Sequence, residues 1–274
     1  MAWVLTQHPP TLGLQPKRQT GFTLLELLVV ITLLAIVAGV ALVSYEGVQA
    51  SGRADATRFE MAEIRKALLQ FRRDSGSHDF PGQGIYDCTD DVNGGNITDK
   101  NALMTFPAEA GSNDADIIAW CQHPANFWML FTDPLGKGWN PDTKRGWNGP
   151  YLQRKSGYVD VGDDLQQNGL GSPIMGTPIK SLWGIADPYL LHTFIAADND
   201  EHLAWRAELT QSDAYAKHGR PYLLFGMDTD ETDDDRIVSM GEDGVYGGTG
   251  SEICLPPLDD VTNEPVDQIL CLLR

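Results

Sequence analysis

The chain has 274 residues, of which 42% are hydrophobic and 21% charged, and its formal net charge is −18. This is enough apolar material to bury a sizeable core in one enlarged domain, or in one domain with insertions. The acidic surface repels phosphates, so it disfavours binding to nucleic acid or to anionic lipid headgroups and favours cations instead.

The first 21 residues lack the apolar core of a secretory signal, but Lys17 and Arg18 stand just before an apolar run. Positive charges at this point hold the amino end in the cytoplasm, which predicts that the rest of the chain lies outside the inner membrane. If both are lost with a leader, the mature side chains carry a charge of −20 (−18 minus 2).

Residues 22–43 contain a single charged side chain, Glu26. A helix of that length rises about 1.5 Å per residue and spans roughly 33 Å, which is enough to cross a bilayer. A charged side chain costs on the order of 2.5–3.5 kcal/mol at the bilayer centre, so a plain anchor has no reason to carry one. Glu26 therefore implies a partner charge, and the alternative is an uncleaved single-pass anchor.

The same helix is predicted to continue to about Arg73, because no proline occurs between Phe22 and Phe80. Its distal half repeats apolar residues at spacings of three and four, which predicts one buried stripe: Met61, Ile64, Leu68 and Phe71. A basic group on the same half is expected to be a solvated helix face: Arg65, Lys66, Arg72 and Arg73.

Beyond the helix, loop-like composition predicts irregular structure over 79–107 and 157–178, with short helical turns over 116–131. Three short segments rich in β-branched or aromatic residues are predicted strands: 189–196, 221–225 and 236–240.

Four cysteines indicate two disulfides in an oxidising compartment: Cys88, Cys121, Cys254 and Cys271. Three pairings are possible. Local loops close most readily, which favours Cys88–Cys121 with Cys254–Cys271, but the sequence alone does not decide. A zinc site is not expected, since no Cys-x-x-Cys pair occurs.

The string GFTLLE at 21–26, with the apolar run after it, resembles the processing site of type IV prepilins and of the pseudopilins of type II secretion. The resemblance implies that a prepilin peptidase cuts between Gly21 and Phe22 and methylates the new amino terminus. It also implies that Glu26 pairs with the terminal amine of a neighbouring subunit during filament assembly.

Further strings resemble the major pseudopilin of type II secretion, in the same order along the chain: RGWNGPYL at 145–152, GRPYL at 219–223, and IVSMGEDG at 237–244 followed by Gly247 and Gly248. The last of these resembles a strand and a glycine-rich loop that bind calcium in that family. A glycine-rich turn lets main-chain carbonyls converge beside carboxylates, as a hard cation with six to eight oxygen ligands requires.

The predicted calcium ligands are Asp243 and the Met240 carbonyl, with Ser251 and Glu252 where the family has two acidic residues in a longer loop. The alternative is a glycine-rich turn with a structural role only. Two other acidic groups are expected to be solvated turns. The first is Asp198 with Asp200. The second lacks the glycine of an EF-hand and contains Asp228, Asp230, Glu231, Asp233, Asp234 and Asp235.

Catalysis is not expected, because the histidines are scattered without metal-ligand spacing and Ser239 lacks the Gly-x-Ser-x-Gly elbow. Trp139, Trp147 and Trp183 could stack on sugars, but core packing or loop anchoring is the favoured interpretation.

Together, the residues and the resemblance predict an α+β, pilin-like fold, with a long amino-terminal helix on a small antiparallel sheet and long loop insertions. The expected parts are a leader (1–21), a membrane and assembly half-helix (22–43) and a periplasmic domain (44–274). The resemblance implies a structural subunit of a type II secretion pseudopilus, single-pass in the inner membrane, whose partners are other pseudopilins and an inner-membrane assembly platform. The alternative is a minor type IV pilin or an adhesin-like binding subunit.

Overall fold

The computed structural model describes residues 23–88, 104–153, 157–161, 179–189, 204–206, 217–218, 220–226, 234–241, 246–248, 252–258, 265 and 267–273. The chain divides into two compact units, residues 1–50 and residues 51–274. The expected boundaries at 21 and 43 stay predictions.

Helix α1 (Leu24–Ser75) is a 52-residue α-helix that contributes to both units. Its length follows from the absence of proline, and it ends slightly beyond the predicted Arg73. Gly76 sets the end, because its φ of 76° is a left-handed conformation that glycine adopts without strain. The Ser75 hydroxyl donates to the Arg72 carbonyl (2.8 Å) and so satisfies one of the carbonyls that a helix end leaves without a partner.

The predicted apolar stripe on the distal half of α1 is confirmed. Its side chains are between 0% and 2% exposed: Met61, Ile64, Leu68 and Phe71. Thr57 lies about one turn earlier on the same face and is also buried. Burying a large apolar side chain stabilises a fold by about 1.5–3 kcal/mol, so this stripe attaches the helix firmly to the domain.

Helical turns occur where the sequence predicts them. Helix α2 (Asp114–Gln122) is followed by a 3-10 turn (Trp128–Leu130), with Pro124 between them. Asn113 caps α2, because its side-chain oxygen accepts a hydrogen bond from the Asp116 amide (2.9 Å). Two further 3-10 turns lie at Gly84–Tyr86 and Ala108–Ala110.

The strands within the described residues form three antiparallel sheets. A short hairpin contains β1 (Trp139–Asn140) and β2 (Arg145–Gly146). The second sheet contains β3 (Tyr158–Val161), β4 (Ile179–Leu182), β5 (Ala204–Arg206) and β6 (Lys217–His218), in the order β4-β3-β5-β6. The third contains β7 (Leu223–Phe225), β8 (Arg236–Ser239) and β9 (Gln268–Cys271), in that order.

The three-stranded sheet has a regular register, in which Leu223 of β7 pairs with Val238 of β8, and Ile237 of β8 pairs with Leu270 of β9. The central strand β8 is buried at three of its four positions. A long amino-terminal helix with small antiparallel sheets confirms the predicted α+β class.

Two of the predicted strands are confirmed, 236–240 as β8 and 221–225 as β7, with Pro221 in an isolated bridge to Ala186. The third, 189–196, lies outside the described residues except for Tyr189, which is in a turn.

The prediction of irregular structure over 157–178 is wrong for β3. A four-residue strand gives too little periodicity to be recognised, and β3 is defined by its partners β4 and β5 rather than by its own sequence. Strand β9 is not among the predicted strands, for the same reason. Residues 162–178 lie outside the described part of the chain.

The core lies where α1 meets the three-stranded sheet and the α2 region. Trp120 and Trp128 form its aromatic centre, with ring centroids 5.7 Å apart. Phe71 of α1 contacts the ring of Tyr86 edge-on at 4.8 Å. Aromatic pairs in this geometry contribute about 0.5–1.5 kcal/mol beyond the area that they bury.

Candidate functional site

The amino-terminal end of α1 is closed by reciprocal hydrogen bonds between Thr23 and Glu26. The Thr23 amide donates to Glu26 Oε2 (2.8 Å), and the Glu26 amide donates to Thr23 Oγ1 (3.2 Å). The Thr23 hydroxyl also donates to Glu26 Oε2 (3.0 Å). This is a capping box, in which two amides at the helix start are both satisfied. The Thr-x-x-Glu spacing is the sequence signal of a capping box. It gives Glu26 a role at the helix start in addition to the predicted pairing with a neighbouring subunit.

The first part of α1 exposes apolar side chains around its whole circumference. Every large apolar residue from Leu24 to Val40 is between 45% and 83% exposed. Consecutive positions such as Leu27 and Leu28 point about 100° apart, so a single stripe does not account for them. The polar side chain of Thr32 is satisfied inside the helix, because its hydroxyl donates to the Val29 carbonyl (2.9 Å). A helix that is apolar all round is stable only when lipid or other helices surround it.

The expected cleavage position lies outside the described residues, since both Gly21 and Phe22 precede Thr23. Of the predicted processing and assembly residues, the structure therefore describes Glu26 alone. Its carboxylate is exposed and is engaged with its own helix start.

The structure describes two of the four predicted calcium ligands, Met240 and Glu252. Met240 is buried directly after β8 and Glu252 is exposed, while Asp243 and Ser251 lie outside the described residues. Among the described His, Cys, Asp and Glu side chains, no group of three converges as a metal site requires. The Gly241 carbonyl accepts from Arg220 Nη1 (2.8 Å), which puts a guanidinium beside this turn. Calcium binding stays a prediction.

Gly247 has close packing partners among the described residues. Its amide donates to Asp267 Oδ2 (2.8 Å), and a Cβ at this position would lie 2.7 Å from Pro257 Cγ. Asp267 is buried. These contacts support the structural role that the sequence leaves open for the glycine-rich turn.

The expected solvated acidic turn is wrong for Asp235, which is fully buried and accepts a hydrogen bond from Gln83 Nε2 (3.2 Å). Asp234 is half-buried. The remaining members of both acidic groups lie outside the described residues: Asp198, Asp200, Asp228, Asp230, Glu231 and Asp233.

The segment at 145–152 anchors α1. Trp147 Nε1 donates to the Met129 carbonyl (3.0 Å), and the Tyr151 amide donates to the Leu130 carbonyl (2.9 Å). The Tyr151 ring contacts Phe71 of α1 at 5.6 Å and Trp147 at 5.8 Å. Burial raises the pKa of Tyr151 to about 12, so its hydroxyl stays protonated. These contacts agree with loop anchoring rather than a sugar-stacking surface.

Both disulfides occur in the pairing that local loop closure favours. The Cα atoms of Cys88 and Cys121 are 6.3 Å apart, and those of Cys254 and Cys271 are 5.7 Å apart. Because Cys271 ends β9, the second bridge attaches the preceding loop to the edge of the three-stranded sheet.

A buried polar cluster that the sequence does not reveal connects α1 with β8. Asp187 is 1% exposed and accepts from Thr57 Oγ1 (3.2 Å), from the Tyr189 amide (3.0 Å) and from the Ser239 hydroxyl. Burial raises the pKa of Asp187, although these donors oppose the rise. Ser239 is fully buried as well, so the pair fastens α1 to β8 rather than presenting a nucleophile to solvent.

His123 is a buried histidine. Its Nδ1 accepts from the Ala125 amide (3.1 Å), and burial lowers its pKa to about 3. The ring is therefore neutral at physiological pH and acts as a hydrogen-bond acceptor at the end of α2.

Residues 16–42 match a protein-family model described as "Prokaryotic N-terminal methylation motif". The matched range contains Gly21, Phe22 and Glu26, and it shows that the amino-terminal part of the chain is type IV prepilin-like. No curated protein and no solved structure matches the chain. Within the described residues, no helix combines the length and hydropathy that a membrane span requires.

Proposed function

We propose that the chain is a structural subunit of a filament, the pseudopilus of a type II secretion system, which assembles after leader cleavage and amino-terminal methylation. The methylation motif at 16–42 carries this proposal, and it indicates a structural subunit rather than an enzyme. The apolar circumference of α1 from Leu24 to Val40 supports it. Such a helix needs lipid around it before assembly and neighbouring helices after it.

In this proposal, cleavage after Gly21 removes the charges of Lys17 and Arg18 and leaves a new ammonium group on Phe22. The Glu26 carboxylate exchanges part of its capping bonds with Thr23 for the ammonium group of a neighbouring subunit. The ammonium group brings a full positive charge, which the amide and hydroxyl of Thr23 lack, so the exchange offsets the cost of holding a carboxylate among apolar helices.

The proposed location is the inner membrane, with residues 22–43 as a single span and residues 44–274 in the periplasm. Lys17 and Arg18 support this orientation, and two disulfides suit an oxidising compartment. The partners are prepilin peptidase, other pseudopilins and the assembly platform. The same proposal includes a calcium ion, bound by Asp243, the Met240 carbonyl, Ser251 and Glu252.

A minor type IV pilin or adhesin-like subunit is the second candidate. The observation that favours it is the loop closed by Cys254 and Cys271 near the carboxyl end. The strings at 145–152 and 219–223 favour the secretion filament instead. Gene neighbours separate the two, because a secretin with secreted hydrolases indicates secretion and retraction genes indicate a pilus.

Replacing Glu26 with alanine is expected to abolish filament assembly and to leave leader removal and membrane insertion intact. Losing one partner of a desolvated charge pair costs about 3–5 kcal/mol, and the loss repeats at every subunit contact. Sedimentation of filaments measures assembly, and mass spectrometry of the mature chain tests for a methylated Phe22 at its start.

The matched control is Glu46→Ala, which removes a carboxylate from the same helix outside the matched segment. The control is expected to assemble as the wild type does. Normal filaments from the Glu26 variant, or a native chain that still begins at Met1, would refute the proposal.

A further inference from the structure

A cavity with an aromatic wall lies beside the ends of α2 and β7. Its volume is about 340 Å³. The residues that line it include four buried or half-buried apolar side chains, Phe127, Leu224, Phe225 and Tyr246, and an exposed polar residue, Gln122. An apolar interior beside a polar edge is typical of a protein–protein contact, because the edge excludes water from a side chain inserted at the centre. We call this feature the aromatic cavity.

The wall of the aromatic cavity is held in place by contacts among its own side chains. The rings of Phe225 and Tyr246 are stacked, with centroids 4.7 Å apart and an angle of 21° between their planes. The Arg236 guanidinium lies 5.0 Å from the centroid of the Phe225 ring, and its Nη2 donates to the Tyr246 hydroxyl (3.3 Å). A site whose side chains are already fixed loses little conformational entropy when it binds a partner.

Phe59 projects from the distal half of α1 into solvent. It is 68% exposed, whereas the buried stripe on the same half of the helix is between 0% and 2% exposed. Ala56 and Ala62 lie about one turn away on the same side of the helix, and both are exposed and small, so they leave the ring open to approach. Burial of this ring contributes nothing to the folding of its own chain and is available for a contact between chains.

We infer that the aromatic cavity binds the Phe59 side chain of a second copy of this chain, as one of the subunit contacts of the filament. The inference rests on the proposed function. Phe59 lies outside the cavity lining, so each chain offers its ring to one neighbour and its cavity to another. A head-to-tail contact of this kind, when it does not close into a ring of subunits, repeats as an open helical filament.

The size and chemistry of the aromatic cavity suit a phenyl ring. An apolar cavity of about 150 Å³ is enough to bind benzene. Among the exposed large apolar residues described within 51–274, Phe59 is aromatic and the others are aliphatic: Ile85, Leu255, Leu258 and Leu273. A ring gains an attraction to Phe225 and Tyr246 that an aliphatic side chain lacks, which favours Phe59 as the occupant.

Single substitutions in full-length chains, expressed in the host that processes them, test this contact. Phe59→Ala removes the ring, and Gln122→Trp fills the cavity from an exposed position in its lining. Leu255→Ala is the matched control for the first variant, since it truncates another exposed apolar side chain. Ala115→Trp is the control for the second, because it adds a bulky ring at an exposed position of α2 outside the lining.

Phe59→Ala and Gln122→Trp are each expected to yield roughly tenfold less sedimentable filament than the wild type, because an aromatic anchor carries much of the energy of a contact. Both controls are expected to assemble as the wild type does. Urea unfolding of each chain checks its fold. The Phe59→Ala chain should unfold at the same urea concentration as the wild type, since the ring is outside the core.

A photoreactive analogue of phenylalanine, benzoyl-phenylalanine, placed at position 59 tests the contact directly. Irradiated filaments are expected to yield covalent dimers of this chain. Mass spectrometry of their peptides should show position 59 of one copy joined to the cavity wall of the other, at residues such as Leu224 or Phe225. Adding Gln122→Trp to the same chain should remove this product.

Three outcomes overturn the inference: normal assembly of the Phe59→Ala chain, an equal loss in the Leu255→Ala control, or the lack of a cross-link between position 59 and the cavity of a second copy. A cross-link to another protein counts as the third outcome. If the Gln122→Trp chain does not fold, the Phe59 variant and the cross-link still decide. Methylation of Phe22 and assembly of the wild type are measured in parallel. Their absence refutes the proposed function, whereas their presence with one of the three outcomes refutes only this contact.

Discussion

Single buried polar side chains connect parts of this domain that are far apart in sequence. Asn126 is an example, since its Oδ1 accepts from the amides of Trp128 (3.2 Å) and Trp183 (3.3 Å). Its Nδ2 donates to the Trp120 carbonyl. A buried amide without partners would cost about 1–3 kcal/mol on the scale of protein mutations, so these bonds specify one arrangement of the loops around α2.

His123 is expected to make the fold sensitive to acid. Burial lowers its pKa from 6.5 to about 3. Between these two values His123 is protonated in the unfolded chain and neutral in the folded chain. The contribution of His123 to the free energy of unfolding is therefore fully present above pH 6.5. It decreases as the pH falls toward 3, by up to about 1.4 kcal/mol per pH unit.

The variant His123→Asn tests this dependence, because it keeps an acceptor for the Ala125 amide and removes the titration. Urea unfolding of the full chain in detergent, from about pH 7 to about pH 4, gives the free energy of unfolding. We expect the wild-type value to fall more steeply than that of the variant. Parallel curves would show that His123 is not the responsible group.

At the scale of elements, the two halves of α1 differ in which side chains they bury. Leu24 to Val40 exposes apolar residues on every side, whereas the distal half buries one stripe against the domain. The difference follows from sequence, because a continuous apolar run suits an apolar environment and a period of 3.6 suits a half-buried surface.

Phe71→Ala is expected to destabilise the domain by about 3–5 kcal/mol, since it empties a site in the core. Phe71 is 1% exposed and contacts both Tyr86 and Tyr151. Phe59→Ala is the matched control, because Phe59 lies on the same helix and is 68% exposed. The control should change stability by no more than about 0.5 kcal/mol. Equal losses in urea unfolding would contradict the assignment of the buried stripe.

At the scale of the whole molecule, two local disulfides restrict the unfolded chain. The bridged cysteines are 33 residues apart in Cys88–Cys121 and 17 apart in Cys254–Cys271. On the chain-entropy model, closing loops of these lengths contributes about 4 and about 3 kcal/mol. The first bridge joins Cys88, which precedes α2, to Cys121 in the last turn of that helix. The second joins Cys254 to Cys271, the last residue of β9.

Removing the bridges pairwise tests this account. Cys254→Ala with Cys271→Ala is expected to lower the free energy of unfolding by about 3 kcal/mol, and Cys88→Ala with Cys121→Ala by slightly more. Both double variants avoid an unpaired thiol, and thermal unfolding of each is compared with the wild type. A larger loss from the shorter loop would mean that contacts of β9, rather than loop entropy, dominate.

Local features were predictable from the sequence. The sequence predicts the prepilin-like start, the long helix with its stripe, and strands β7 and β8, because each depends on neighbouring residues or on a short period. The disulfide pairing was favoured by loop length alone. The roles of Glu26 and of the calcium ligands remain predictions, because they depend on other molecules.

The tertiary structure decided what depends on residues distant in sequence. The Thr57–Asp187 bond joins positions 130 residues apart, and no local pattern marks Asp187 or Asp235 as buried. Strand β9 exists because β8 offers it an edge with which to pair. Helices and motifs are encoded by nearby residues, whereas burial, strand partners and grooves arise only when distant segments meet, since their free energy comes from contacts between those segments.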